Sequence, residues 1–260
     1  MKLKRDGVTL AFEEAGSGRP PLLFIHGWTC DRSYFAPQFK HFRRTHRVVG
    51  VDLRGHGQSD KPQQDYTMAL FAEDLAWLCG QLKLTKPVMI GHSMGGVIAL
   101  EMAARFPELP AAIVALDSPI VPPQSLRDAL APLMEALTTP GYKEAQRKFV
   151  ADVLFLPTDD AKRTARIVTA MSSAPQHVMA SAFRNIFACD TAAAAAKCKL
   201  PVLNIIAAQP LTDLARFQEL CKHLVNGQTV GAGHFHQLEV PDQVNAMIER
   251  FLKNLKLPRP

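Results

Sequence analysis

Gly91-His92-Ser93-Met94-Gly95 is a G-x-S-x-G sequence set between an apolar run, Val88 to Ile90, and a helical pattern that opens at Met94. Such a placement suits nucleophilic attack by a serine hydroxyl. A strand that turns sharply into a helix leaves the Ser93 Oγ exposed, and the small residues Gly91 and Gly95 let the backbone pass close to its neighbours. The helix start adds free N–H groups, and that of Met94 faces any oxyanion developing beside Ser93. A serine hydroxyl is a weak nucleophile at neutral pH and needs an imidazole to take its proton. Nine histidines compete for that role. His41, His46, His177 and His223 lie in helical or charged surroundings and read as surface residues, while His26 and His92 flank backbone motifs and read as loop braces. His234, in the glycine-rich loop Gly231-Ala232-Gly233-His234-Phe235, is the expected base, with His236 as the fallback.

These residues need elements that hold them at one place. Val8, Leu10 and Phe12 alternate with Thr9, Ala11 and Glu13, the pattern of a half-buried strand. Leu22 to Ile25, Val48 to Val51, Val88 to Ile90, Ile113 to Leu116 and Val202 to Ile206 are short and apolar throughout, as in strands of a parallel sheet covered on both faces. Helical patterns lie between them: Leu70 to Leu78, Val97 to Phe106, and a last helix with a stripe from Val244 to Leu255. Strands alternating with helices predict a doubly wound, mostly parallel α/β fold. The alternation stops between Pro119 and Cys198, where prolines punctuate helix-like segments and no strand is evident. The expected organisation is a core of residues 1–118 and 199–260 with three or four helices, residues 119–198, inserted as a mobile cap above the carboxyl edge of the sheet. The stretch Ala192 to Ala196 reads as helix or tight linker.

Composition narrows the class. The chain has 260 residues, of which 47% are hydrophobic and 21% charged, enough apolar material for one large core and unlike a disordered chain. No apolar run is long enough to cross a membrane, and the basic start Met1 to Arg5 has no apolar segment after it, so neither a membrane span nor a secretory signal is expected. The net charge of +6 is modest. Its densest cluster, Arg43, Arg44, His46 and Arg47, lacks interleaved aromatics and reads as the solvated end of a surface helix, not a nucleic-acid site. Five cysteines without C-x-x-C spacing speak against a zinc site or disulfide framework and for a reducing, cytoplasmic setting. No metal or cofactor motif is present, which leaves a small-molecule substrate as the expected partner.

The chain resembles the α/β-hydrolase family over nearly its whole length. Besides the elbow at Ser93, His26-Gly27-Trp28 looks like the family's oxyanion loop, which implies that the Trp28 N–H joins that of Met94. Asp52-Leu53-Arg54-Gly55-His56-Gly57-Gln58-Ser59 looks like a structural loop of the family, and Gly231 to Phe235 matches its catalytic-histidine loop. The family's usual acid follows the strand at Val202 to Ile206, but Ala207-Ala208-Gln209-Pro210 supplies no carboxylate there. Asp117, at the end of the preceding strand, occupies the alternative position, and Asp213 is the nearest acid downstream. The resemblance thus implies a Ser93–His234–Asp117 triad with Asp213 as the alternative acid. It implies an esterase-like serine hydrolase acting through an acyl-enzyme. Two further readings stay open: a cofactor-free dioxygenase of the same fold, in which the serine–histidine pair deprotonates the substrate, and a ligand receptor without catalysis.

Overall fold

In the computed structural model, which describes residues 1–256, the chain begins with a hairpin of β1 (Lys2–Arg5) and β2 (Val8–Ala15). The expected apolar strands follow as β3 (Leu22–Ile25), β4 (Val48–Asp52), β5 (Val88–His92), β6 (Ala112–Leu116) and β7 (Val202–Ile206), each buried along its whole length. β8 (Leu224–Gln228) closes the sheet at its edge. The order is β1-β2-β4-β3-β5-β6-β7-β8, antiparallel at the two pairs involving β2 and parallel elsewhere.

Between strands run α1 (Ala36–Phe42), α2 (Met68–Gln81) and α3 (Met94–Arg105), and after β6 come α4 (Gln124–Ala136), α5 (Tyr142–Val153), α6 (Ala161–Met171), α7 (Gln176–Ala188) and α8 (Thr191–Lys197). α9 (Leu214–Leu220) precedes β8, and a short α10 (His236–Glu239) leads into α11 (Pro241–Asn254). Successive side chains of a strand point to opposite faces. Leu22 and Phe24 therefore pack with Phe39 of α1 and with Val244 and Ile248 of α11. Leu23 and Ile25 face the other way, into a core that contains α2, α3 and the helices inserted after β6.

Two expectations need correction. The insertion holds five helices, not three or four. The alanine run forms the fifth, α8, which packs against α3 and α9. The basic cluster lies beyond the end of α1 at Phe42, in the turn leading to β4. No helix among the described residues is long and apolar enough to cross a membrane.

Candidate active site

The strand order reverses direction around β3, with β4 on one side and β5 on the other. Loops that leave the carboxyl ends of such neighbours diverge and open a crevice. His26 to Trp28 leave β3 and Ser93 leaves β5, and the register pairs Ile25 with Gly91, so the two loops start side by side. β6 lies on the other flank of β5 with Leu116 opposite His92, which puts Asp117 beside Ser93, and the Ser93 N–H donates to the Leu116 carbonyl at 2.9 Å.

Ser93 has φ 53° and ψ −118°, a backbone state that most side chains avoid and that a tight strand-to-helix turn requires. The turn closes only because of its glycines. A Cβ on Gly91 would collide with the Gly95 carbonyl, and one on Gly95 with the backbone of Ile25. Met94 is the first residue of α3, so its N–H has no acceptor within the helix. Ser93 alone of the five elbow residues is partly exposed.

His234 meets Asp117. The imidazole Nδ1 lies 2.6 Å from Asp117 Oδ2, with both side chains buried. A neutral ring facing a carboxylate keeps its proton on that nitrogen, so Nδ1–H donates and Nε2 is left with its lone pair. The second carboxylate oxygen, Oδ1, accepts the Ala207 N–H at 3.2 Å. The segment after β7, which holds no carboxylate from Ala207 to Pro210, thus supplies a backbone donor to Asp117. Asp213 is elsewhere: it is exposed and caps α9, accepting the Arg216 N–H at 2.9 Å.

The other histidines separate by their partners. His92 Nε2 lies 2.9 Å from the His234 carbonyl, which can only accept, so His92 donates and braces the histidine loop. Burial holds its pKa well below the ordinary value. His236 is buried against Thr229 Oγ1 at 3.0 Å, with its pKa pushed down to about 4, chiefly by desolvation, and it does not line the cavity around Ser93. His26 accepts the Leu53 N–H at 3.0 Å and donates to the Gly27 carbonyl at 2.8 Å. His56 donates to the Arg54 carbonyl at 2.9 Å, and burial lowers its pKa to about 3. Both hold loops, as their sequence context suggests.

Several contacts that shape the site leave no local sequence signal. The His234 N–H donates to the Leu154 carbonyl at 2.9 Å, just past α5. Asp159 accepts the Gly233 N–H at 3.1 Å and the Leu156 N–H at 2.8 Å. The Trp28 indole N–H donates to the Met179 carbonyl of α7 at 2.9 Å.

Ser93 and His234 line one cavity of about 60 Å³, walled by Trp28 and by side chains of α4 to α7 such as Leu130, Phe149 and Phe183. Among the described residues, no Lys, Arg, Asp or Glu lines it. A cleft of about 680 Å³ between the Asp31 and Gly57 loops includes neither residue. Among the described residues, no group of three or more His, Cys, Asp or Glu side chains is placed to hold a metal ion.

The family model for the alpha/beta hydrolase fold matches residues 20–157, more than half of the chain. The AB hydrolase superfamily protein YisY of Bacillus subtilis is 41% identical over 99 residues, 38% of this chain and 37% of its own length. The 2-(acetamidomethylene)succinate hydrolase of Mesorhizobium japonicum is 37% identical over 124 residues, 47% of this chain and 44% of its own. The matched stretch thus spans less than half of either relative. A thermophilic esterase from Thermogutta terrifontis superposes with a TM-score of 0.85 at 24% identity, covering 98% of this chain and 97% of that one, a likeness of fold. Strand order and family match agree: the chain belongs to the α/β-hydrolase fold family.

Proposed function

We propose that the protein is a serine hydrolase that cleaves an uncharged carboxylic ester through an acyl-enzyme. The observation that carries the reading is the 2.6 Å contact of His234 Nδ1 with buried Asp117, on a histidine that shares its cavity with the elbow serine. His234 Nε2 takes the Ser93 proton while Oγ bonds to the ester carbonyl carbon. The N–H groups of Trp28 and Met94 hold the resulting oxyanion, and Asp117 stabilises the imidazolium. Collapse of the tetrahedral intermediate breaks the bond to the alcohol oxygen, which receives the proton from His234. Water then repeats the sequence on the acyl-Ser93 ester and frees the acid.

The group that enters this cavity is read as uncharged, because among the described residues no Lys or Arg lines it. A carboxylate brought there would lose its hydration without gaining a partner. α4 to α7 act as a cap over Ser93, and α8 belongs with the core it packs on.

A fluorophosphonate probe tests the proposal. It should label Ser93 alone, by peptide mass spectrometry, and Ser93→Ala should abolish both labelling and turnover of p-nitrophenyl acetate. Labelling that persists in the alanine variant overturns the assignment. Release of p-nitrophenol should be unchanged in oxygen-free buffer, since ester hydrolysis consumes no oxygen.

A further inference from the structure

Cys198 and Cys221 come together at the amino end of the sheet, the end away from Ser93. Each follows a helix and precedes a strand: Cys198 comes after α8 and before β7, Cys221 after α9 and before β8. β7 and β8 run parallel with Val202 opposite Leu224, and the Val202 N–H donates to the His223 carbonyl at 3.1 Å, so the two segments enter the sheet as neighbours. α8 also packs against α9. Both cysteines have extended backbone there, with φ −71° and ψ 116° at Cys198 and φ −106° and ψ 98° at Cys221. Strands paired in this way run ~4.8 Å apart, inside the ~4.4–6.8 Å that a disulfide spans between Cα atoms. The two side chains meet: the Cys198 thiol hydrogen-bonds that of Cys221. Both are buried, under the exposed residues Lys199, Lys222 and His223.

The five cysteines separate by their surroundings. The hydrogen bond from Cys198 favours the Cys221 thiolate and draws its pKa down to about 7, while it pushes that of Cys198 up. Burial acts on the others in the opposite sense: Cys30 is held well above the ordinary value, and Cys79 and Cys189 are pushed up to about 12. Cys189 also faces Glu101, whose Oε2 lies 3.7 Å from its Sγ. The thiolate is the form that oxidants attack, and a second thiol beside it turns oxidation toward a disulfide.

We propose that Cys198 and Cys221 are a peroxide-sensitive dithiol that closes to a disulfide. The Cys221 thiolate attacks one oxygen of hydrogen peroxide, the O–O bond breaks, and Cys221 sulfenic acid forms with release of hydroxide, which takes up a proton from water. The Cys198 sulfur then attacks the Cys221 sulfur. The S–O bond breaks, and the departing hydroxide leaves as water with the Cys198 proton. Two thiols are oxidised and one peroxide is reduced to two waters. Peroxide is small and uncharged, which suits a nearly closed site. The bond would tie the end of α8 to the end of α9 and enclose β7 between its ends.

Peptide mapping of the folded, wild-type protein tests this. The reduced protein, freed of reductant, is treated with hydrogen peroxide in native buffer, alkylated, and digested without reduction. A Cys198–Cys221 disulfide is expected, with Cys30, Cys79 and Cys189 recovered in alkylated form, and dithiothreitol should restore all five thiols. In Cys198→Ala, or Cys198→Ser if the alanine variant does not fold, Cys221 lacks its partner and should be carried on to sulfinic acid. A disulfide through any other cysteine overturns the proposal. So does wild-type Cys221 recovered as thiol or as sulfinic acid while the disulfide is absent.

Discussion

Replacing Asp117 with asparagine tests the proposed mechanism at its most specific point. Asparagine is nearly isosteric but offers one acceptor and one donor where aspartate offers two acceptors. The Ala207 N–H, 3.2 Å from Asp117 Oδ1, determines how the amide turns. If the amide oxygen faced His234, the NH2 group would face the Ala207 N–H, donor against donor, in a buried place. The favoured orientation gives the oxygen to Ala207 and the NH2 to His234 Nδ1. That nitrogen must then accept, so the imidazole proton moves to Nε2, where it meets Ser93 and leaves no lone pair to act as base. On the scale known for losing the orienting acid of a serine triad, kcat should fall by ~10³–10⁴-fold, or about 4–5.5 kcal/mol of transition-state stabilisation.

Initial rates on p-nitrophenyl acetate at neutral pH measure the effect, with near-ultraviolet circular dichroism to confirm the fold. Asp117→Ala imposes no tautomer and should retain more activity than Asp117→Asn. Asp213→Asn is the control. Asparagine caps a helix about as well as aspartate, so replacing this exposed α9 cap should change kcat by less than ~2-fold. Activity of Asp117→Asn above a tenth of wild type, or an equal loss in Asp213→Asn, refutes the reasoning.

Thermal stability should drop on acidification below pH 6.5. His26, His56, His92 and His236 are buried, and desolvation lowers their pKa values in the folded state, to about 3 for His56 and about 4 for His236. The unfolded chain takes up these protons below ~6.5 and the folded chain does not, so stability is full above that value and falls by up to ~1.4 kcal/mol per pH unit for each histidine as pH drops toward the folded pKa values. A melting temperature that stays flat from pH 7 to pH 5 contradicts this. Asp159→Ala leaves the buried Gly233 N–H without its acceptor and loosens the histidine loop, so kcat should fall ~10-fold with KM little changed, the pattern of lost positioning. Asp159→Asn keeps one acceptor oxygen but sets its NH2 against the Gly233 or the Leu156 N–H, so its kcat should fall between those of wild type and Asp159→Ala; equal kcat in all three proteins would show that the contact plays no part in positioning.

The central strands and the elbow were legible because their cause is local. A strand covered on both faces must be apolar throughout, and a serine between a buried strand and a helix has few other arrangements. The edge strands lacked that signal. β8 carries Val225, Asn226 and Gln228 exposed, as an edge allows, and β1 is half exposed along its length. The alanine run was ambiguous as a sequence and becomes α8 through its packing against α3, a contact made far along the chain. The sequence favours Asp117 as the acid and keeps Asp213 as the alternative, because spacing alone does not show which of them reaches the histidine loop. Register distinguishes them: β6 lies between β5 and β7, so a residue just past Leu116 has Ser93 on one side and the Ala207 backbone on the other. Asp159 gave no sign because its role consists of two backbone N–H groups, one of them 74 residues away.

Those long-range contacts bear on how the inserted helices relate to the chemistry. A cap read from broken, proline-punctuated helices suggests a lid that swings free of a finished site. The bonds run otherwise. The segment after α5 accepts the His234 N–H through Leu154 and holds Gly233 through Asp159, and Arg163 at the start of α6 pairs with Glu239 of α10. α7 holds the Trp28 indole through Met179. The histidine loop and the loop that holds Trp28 are thus each anchored to the insertion. Lifting α5 to α7 as a body would break these contacts and release both loops together, so the insertion helps to hold the site that it covers.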